Sequence, residues 1–193
     1  IRNLGKYLAL VVSLAGFAIL FAWTFEFKWL SELNPSWVVI KANTALGFAM
    51  LGFALYTRHC HYPIRTAYLT VACLVALLGL LSLLEYQFNP SNQDRMSPIS
   101  ALCFLFLGLG MALQEYPAQA SRKIAAYLLL TVALLAPLAV LAYVYQAKNL
   151  HALFTFTGMA FPTAVFFLAI SFSLMSLDSE NPLMQVLTNS HSG

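Results

Sequence analysis

The sequence predicts an all-α, polytopic membrane protein: six transmembrane helices in three repeated hairpins, both termini cytoplasmic. Three observations predict it. The chain is 61% hydrophobic and 9% charged, whereas a soluble domain carries roughly 25% charged residues. So few charges cannot coat a water-facing surface. The apolar residues gather into six long runs separated by short connections. Finally, one pattern recurs at Asn43–Phe48, Ile99–Phe104 and Pro162–Phe167, each time near the start of an even-numbered run. Thr44, Ser100 and Thr163 align, as do Ala45, Ala101 and Ala164, then Phe48, Phe104 and Phe167. Seven residues beyond each alanine stands another small residue, Gly52, Gly108 or Ser171. The copies lie 56 and 63 residues apart, room for two crossings and their loops, so the repeat unit is a helical hairpin.

The runs follow in order. Tyr7–Trp23 is the first; no small-residue cleavage site follows it, so it reads as a span and not a signal peptide. Trp23, Trp29 and Trp37 flank the first outer connection like an interfacial aromatic belt. The second run, Trp37–Tyr56, has Lys41 one turn in and the first motif behind it. Ile64–Leu84 is the third, preceded by Pro63 and ended by Glu85. Pro98–Leu113 is short against the roughly 17–25 residues of a crossing, and Met96 and Ser97 extend it. Ile124–Tyr145 contains Pro137, which predicts a kink. Gly158–Leu177 is the sixth, with Pro162 in its first turn, where a missing N–H costs nothing. Residues 178–193 change character: Pro182 sits in a helix start, and Leu183, Val186 and Leu187 recur at helical spacing. An amphipathic segment on the inner surface, then a linker toward a cytoplasmic output domain, would account for them.

Lys and Arg in the loops orient the chain. With the N-terminus inside, Arg2, Lys6, Arg58, Arg65, Arg122 and Lys123 lie inside, against Lys28, Lys41, Arg95 and Lys148 outside. The connections span 13, 7, 13, 10 and 12 residues, too short to hold a folded sensing domain. Whatever is recognised must therefore come through the outer loops, the lipid or the bundle interior.

The chemistry is sparse. No Gly-rich phosphate loop, H-E-x-x-H or intramembrane carboxylate pair occurs, so no catalytic residue is expected. His59 and His61 flank Cys60 in a basic turn expected to be solvated, and histidine pairs suited to haem are missing from the runs. The three cysteines imply no disulfide framework. No metal, cofactor or nucleic-acid partner is expected. The candidate ligand residues are Lys41, Asn43, Thr44, Glu85, Ser97, Ser100, Tyr143, His151 and Thr163. If three hairpins pack about a pseudo-threefold axis, Asn43, Thr44, Ser97, Ser100 and Thr163 could line one outward-open pocket. Close packing by small residues is the plainer role for the same motif. Lys41 and Glu85, both at outer-interface depth, either snorkel to water or pair between hairpins.

Leu78–Tyr86, Arg95–Phe104 and Thr157–Phe167, with Pro182–Thr188 after the sixth run, resemble the N-terminal six-helix region of bacterial sensor histidine kinases. Related input regions precede diguanylate cyclases. The resemblance implies an inner-membrane sensor module of two-component signalling, dimeric through its full-length kinase and answering a small or lipophilic ligand. Pro182, Leu183, Val186 and Leu187 would then relay the signal from the sixth helix. Two other classes stand beside it: a small transporter or pore, since internal repeats are common there, and a structural anchor that dimerises a cytoplasmic enzyme.

Overall fold

A backbone surrounded by apolar side chains and lipid has only itself to hydrogen-bond, and the helix satisfies every interior N–H and C=O locally. The computed structural model describes residues 2–25, 40–60, 65–88, 96–144 and 159–177, apart from the side chains of Gln87 and residues 142–144. Among these residues there are six α-helices and no strand: α1 (Arg2–Thr24), α2 (Ala42–His59), α3 (Arg65–Phe88), α4 (Pro98–Gln114), α5 (Gln119–Val144) and α6 (Phe161–Met175). Three are long and apolar enough to cross a membrane, over Asn3–Thr24, Arg65–Tyr86 and Gln119–Leu141, and α4 and α6 are shorter apolar helices.

Several boundaries differ from expectation. Helix α1 begins at Arg2 and α5 at Gln119, because hydropathy marks the apolar stretch while the hydrogen-bond ladder continues into polar flanks. Helix α2 begins later than expected. Lys41 is its N-cap, with extended backbone at φ −75° and ψ 150°, and so lies before the helix rather than one turn inside it. Pro98 and Pro162 occupy first-turn positions as expected, and α5 continues as helix through Pro137.

The three even helices start in identical register. Ala45, Ala101 and Ala164 donate their N–H groups to the carbonyls of Lys41, Ser97 and Ala160 at 3.0, 2.9 and 3.1 Å. Each of those carbonyls belongs to an extended N-cap residue. One side-chain tie also repeats. The Trp23 indole donates to the Ile40 carbonyl at 3.0 Å, and the Tyr86 hydroxyl to the Met96 carbonyl at 2.8 Å. Both pin the end of an odd helix to the start of the next even one. In the repeat register Tyr143 takes the position of Trp23 and Tyr86.

Chain neighbours pack as hairpins, α1 on α2, α3 on α4 and α5 on α6, the first two more closely than the third. Contacts between α2 and α3, α4 and α5, and α6 and α1 close the ring. The even helices carry the buried faces, whereas α1, α3 and α5 expose many large apolar side chains. Repeat-equivalent residues build the core in layers: Leu51, Leu107 and Ile170 form one, and Leu55, Met111 and Leu174 the next, all fully buried.

Glycines set the hairpin distance. A Cβ on Gly52 would come within 2.7 Å of the Ala9 carbonyl oxygen, and one on Gly108 within 2.6 Å of the Ala72 carbonyl oxygen. The odd helices answer in kind: a Cβ on Gly16 would press on Ala45 and Ala49, and one on Gly79 on Ala101 and Leu105. Such contact lets backbones meet at van der Waals distance, the main source of helix affinity in lipid. In the third hairpin Ser171 replaces the even-helix glycine and Ala136 stands where Gly16 and Gly79 do. Its added atoms explain the looser packing of α5 on α6.

Candidate functional site

Phe48, Phe104 and Phe167 meet at the centre of the molecule. Their ring centroids lie 5.0, 4.8 and 4.9 Å apart and the rings are tilted by 56°, 60° and 64°. All three are fully buried. This near-equilateral triangle marks a pseudo-threefold axis, closed at this level by aromatic rings. Phe166 adds an edge-on contact to Phe48 at 5.3 Å. Gly47 makes room for the triangle, since a Cβ there would run into the Phe104 ring at 2.6 Å.

Thr44, Ser100 and Thr163 precede the three phenylalanines by four residues, which places them on the same helix faces one turn nearer the helix starts. They are 4%, 2% and 2% exposed, so the motif points inward in every copy. Their hydrogen bonding is not equivalent. The Ser97 hydroxyl donates to Ser100 Oγ at 2.8 Å and accepts from the Ser100 N–H at 3.2 Å, the N-cap of α4. These two candidates are thus spent partly on each other. Asn43 Oδ1 accepts from the Thr44 N–H at 2.9 Å, a local turn bond.

Two further candidates, Lys41 and Glu85, lie apart from the axis. Lys41 is half-buried at its N-cap. Half-buried Glu85 lies with Ser82 at one end of a shallow groove walled by Leu74, Leu77, Leu78 and Leu81. The Tyr143 side chain, His151 and the relay residues Pro182, Leu183, Val186 and Leu187 fall outside the described residues.

The opposite end of the bundle holds the polar contacts that sequence reasoning missed. Glu115, at the C-cap of α4, is only 8% exposed in its side chain, and two arginines converge on it. Arg58 Nη2 donates to Glu115 Oε1 at 2.6 Å, Arg65 Nε lies 3.5 Å from Oε2, and Arg65 Nη2 donates to the Glu115 carbonyl at 2.9 Å. The Arg58 guanidinium also lies 5.5 Å from the centroid of the Tyr68 ring. The cluster joins the end of α2, the start of α3 and the end of α4. His59 is a correction to the expectation of a solvated turn: it is 5% exposed and shares a 3.1 Å hydrogen bond with Ser173 of α6. Burial follows from its place on the inward face of the last turn of α2. Among the described residues no group of His, Cys, Asp and Glu is gathered so as to hold a metal.

One signal for the hairpin geometry was present in the odd helices. Ala9, Val12 and Gly16 recur as Ala72, Val75 and Gly79, and in altered form as Leu129, Val132 and Ala136. Nothing comparable announced Glu115, whose partners lie 57 and 50 residues away.

These features define a class, an all-helical, membrane-like protein with several apolar helices and an internal threefold repeat. Comparison with protein-family models, curated proteins and solved structures finds no match.

Proposed function

We propose that the chain is the six-span input module of a bacterial sensor histidine kinase, embedded in the cytoplasmic membrane with both termini inside. Six spans follow if the short even helices cross inside a ring of the long odd ones, shielded from lipid along most of their length. A small or lipophilic signal would enter from the outer side, among the first turns of α2, α4 and α6. There Thr44 and Thr163 offer hydroxyls on inward faces beside the Ser97–Ser100 cap. Binding would re-space the three helix starts, and α6 would pass the shift to the segment holding Pro182, Leu183, Val186 and Leu187. A ligand moves such an equilibrium only by differential affinity for the two packings.

The observation that carries this reading is the phenylalanine triangle beneath the ring of small polar residues. It closes the axis, which favours a signal-binding recess over a pore, and it couples three hairpins through one contact point. The test replaces Thr44, Ser100 and Thr163 together by valine in the full-length, kinase-bearing protein. Loss of the response with kinase activity and folding retained is expected. An unchanged response would leave the motif a packing device and the module an anchor, and substrate flux through liposomes would favour a transporter. Topology has its own check: a membrane-impermeant thiol reagent should reach Cys60 from the inner side only.

A further inference from the structure

We propose that the inner end of the seam between α2 and α3 is a binding site for an anionic phospholipid, its phosphate held by Arg58. The inference rests on the membrane reading above but concerns a different face of the molecule. Helices α2 and α3 belong to different hairpins and pack less closely than hairpin partners. Ala54 and Ala67 leave a cleft of about 130 Å³ between them, several times the roughly 30 Å³ that one water occupies in the liquid. Its walls change character along their length. Phe53 and Val71 form the apolar end, and Thr57, Arg58 and Tyr68 the polar end. Phe53 and Arg58 are five residues apart, about 7.5 Å along a helix, comparable to the step from headgroup to acyl chain.

The polar end is built to receive an anion. Glu115 holds Arg58 from one side at 2.6 Å, and the Tyr68 ring lies against it. A guanidinium has five N–H donors, and the bond to Glu115 uses an Nη2 donor only. With the side chain 39% exposed, other donors remain accessible. Two arginines against one carboxylate leave a net positive charge. Both Glu115 oxygens face arginines, and among the described residues no acidic side chain lines the cleft to receive a choline or ethanolamine cation. The charge pattern therefore favours an anionic headgroup, and the apolar end fits the first methylenes of its chain.

The test uses the purified protein in phosphatidylcholine nanodiscs containing a photo-crosslinkable phosphatidylglycerol, with crosslinked peptides mapped by mass spectrometry. Crosslinks should concentrate on the peptides of Phe53–Arg58 and Ala67–Val71. Arg58→Gln should lower them about tenfold, the scale of one charge-assisted hydrogen bond. Because Arg58→Gln also loosens the Glu115 cluster, Ala67→Phe provides an independent arm. Position 67 is exposed and outside that cluster, and a ring there should fill the cleft and remove the crosslink without unfolding the protein. Equal crosslinking by a phosphatidylcholine probe, no effect of Ala67→Phe, or competition by inorganic phosphate would each overturn the site. Failure of the membrane reading looks different, since the exposed leucines of α3 would then also escape crosslinking.

Discussion

Glu115 shows how much one side chain can organise when water is scarce. It receives hydrogen bonds from Arg58 at its carboxylate and from Arg65 at its carbonyl, and so ties three helix ends together. Exposed ion pairs contribute little, typically below 1 kcal/mol, and Arg65 is 60% exposed. The carboxylate itself is buried, however, and removing its charge leaves Arg58 without its closest anion. Glu115→Gln should therefore cost about 1–2 kcal/mol, read as a lower denaturation midpoint in detergent, with a weaker dependence on salt than a surface pair would show. Nothing in the local sequence around Glu115 distinguishes it from a solvated loop carboxylate, because Arg58 comes from another hairpin and Arg65 from the far end of its own. His59 is invisible for the same reason: its neighbour Ser173 is 114 residues away.

At the scale of the helix pair, the small residue that follows each motif by seven positions from its alanine decides how near two backbones come. Gly52 and Gly108 meet backbone atoms of the facing helix, so an added methyl has nowhere to go. Gly52→Ala and Gly108→Ala should each destabilise by about 1–3 kcal/mol, the cost of overpacking. The third hairpin should behave in the opposite way. Ser171 Oγ is buried without a hydrogen-bond partner among the described residues, and Ser171→Ala removes that orphan. The substitution should be neutral or stabilising by about 1 kcal/mol. Thermal unfolding of the three variants side by side checks the contrast, and an equal loss at all three positions would contradict it. The small-residue spacing was legible in the sequence, and so was its use for close packing. That the odd helices supply matching glycines at Gly16 and Gly79 was equally present but harder to notice, since alanine-valine-glycine spacing is common in apolar helices.

Across the whole molecule, the three hairpins are held in one arrangement by the aromatic triangle and the layers beneath it. Aromatic pairs contribute about 0.5–1.5 kcal/mol beyond their burial, and each phenylalanine takes part in two such pairs of the triangle. Truncating Phe48, Phe104 or Phe167 to alanine should cost about 3–5 kcal/mol each, with Phe48 at the upper end because it also meets the Phe166 ring. Double replacements should lose less than the sum of the singles, as expected where residues share contacts. A single phenylalanine whose loss went unnoticed would break the threefold description. The triangle lies one helical turn from Thr44, Ser100 and Thr163, so under the proposed function these variants should also alter the response to a signal.

The amino-acid sequence by itself determined the helical class and the existence of three repeated units. It could do so because hydropathy and small-residue spacing are local properties, readable within one helix turn or two. Only the tertiary structure decided that each motif faces inward and what it meets: a phenylalanine triangle on the axis, an Arg58–Glu115–Arg65 cluster and a buried His59–Ser173 bond. Those outcomes depend on the relative placement of hairpins, which is set by many weak backbone contacts acting together and by no single stretch of chain.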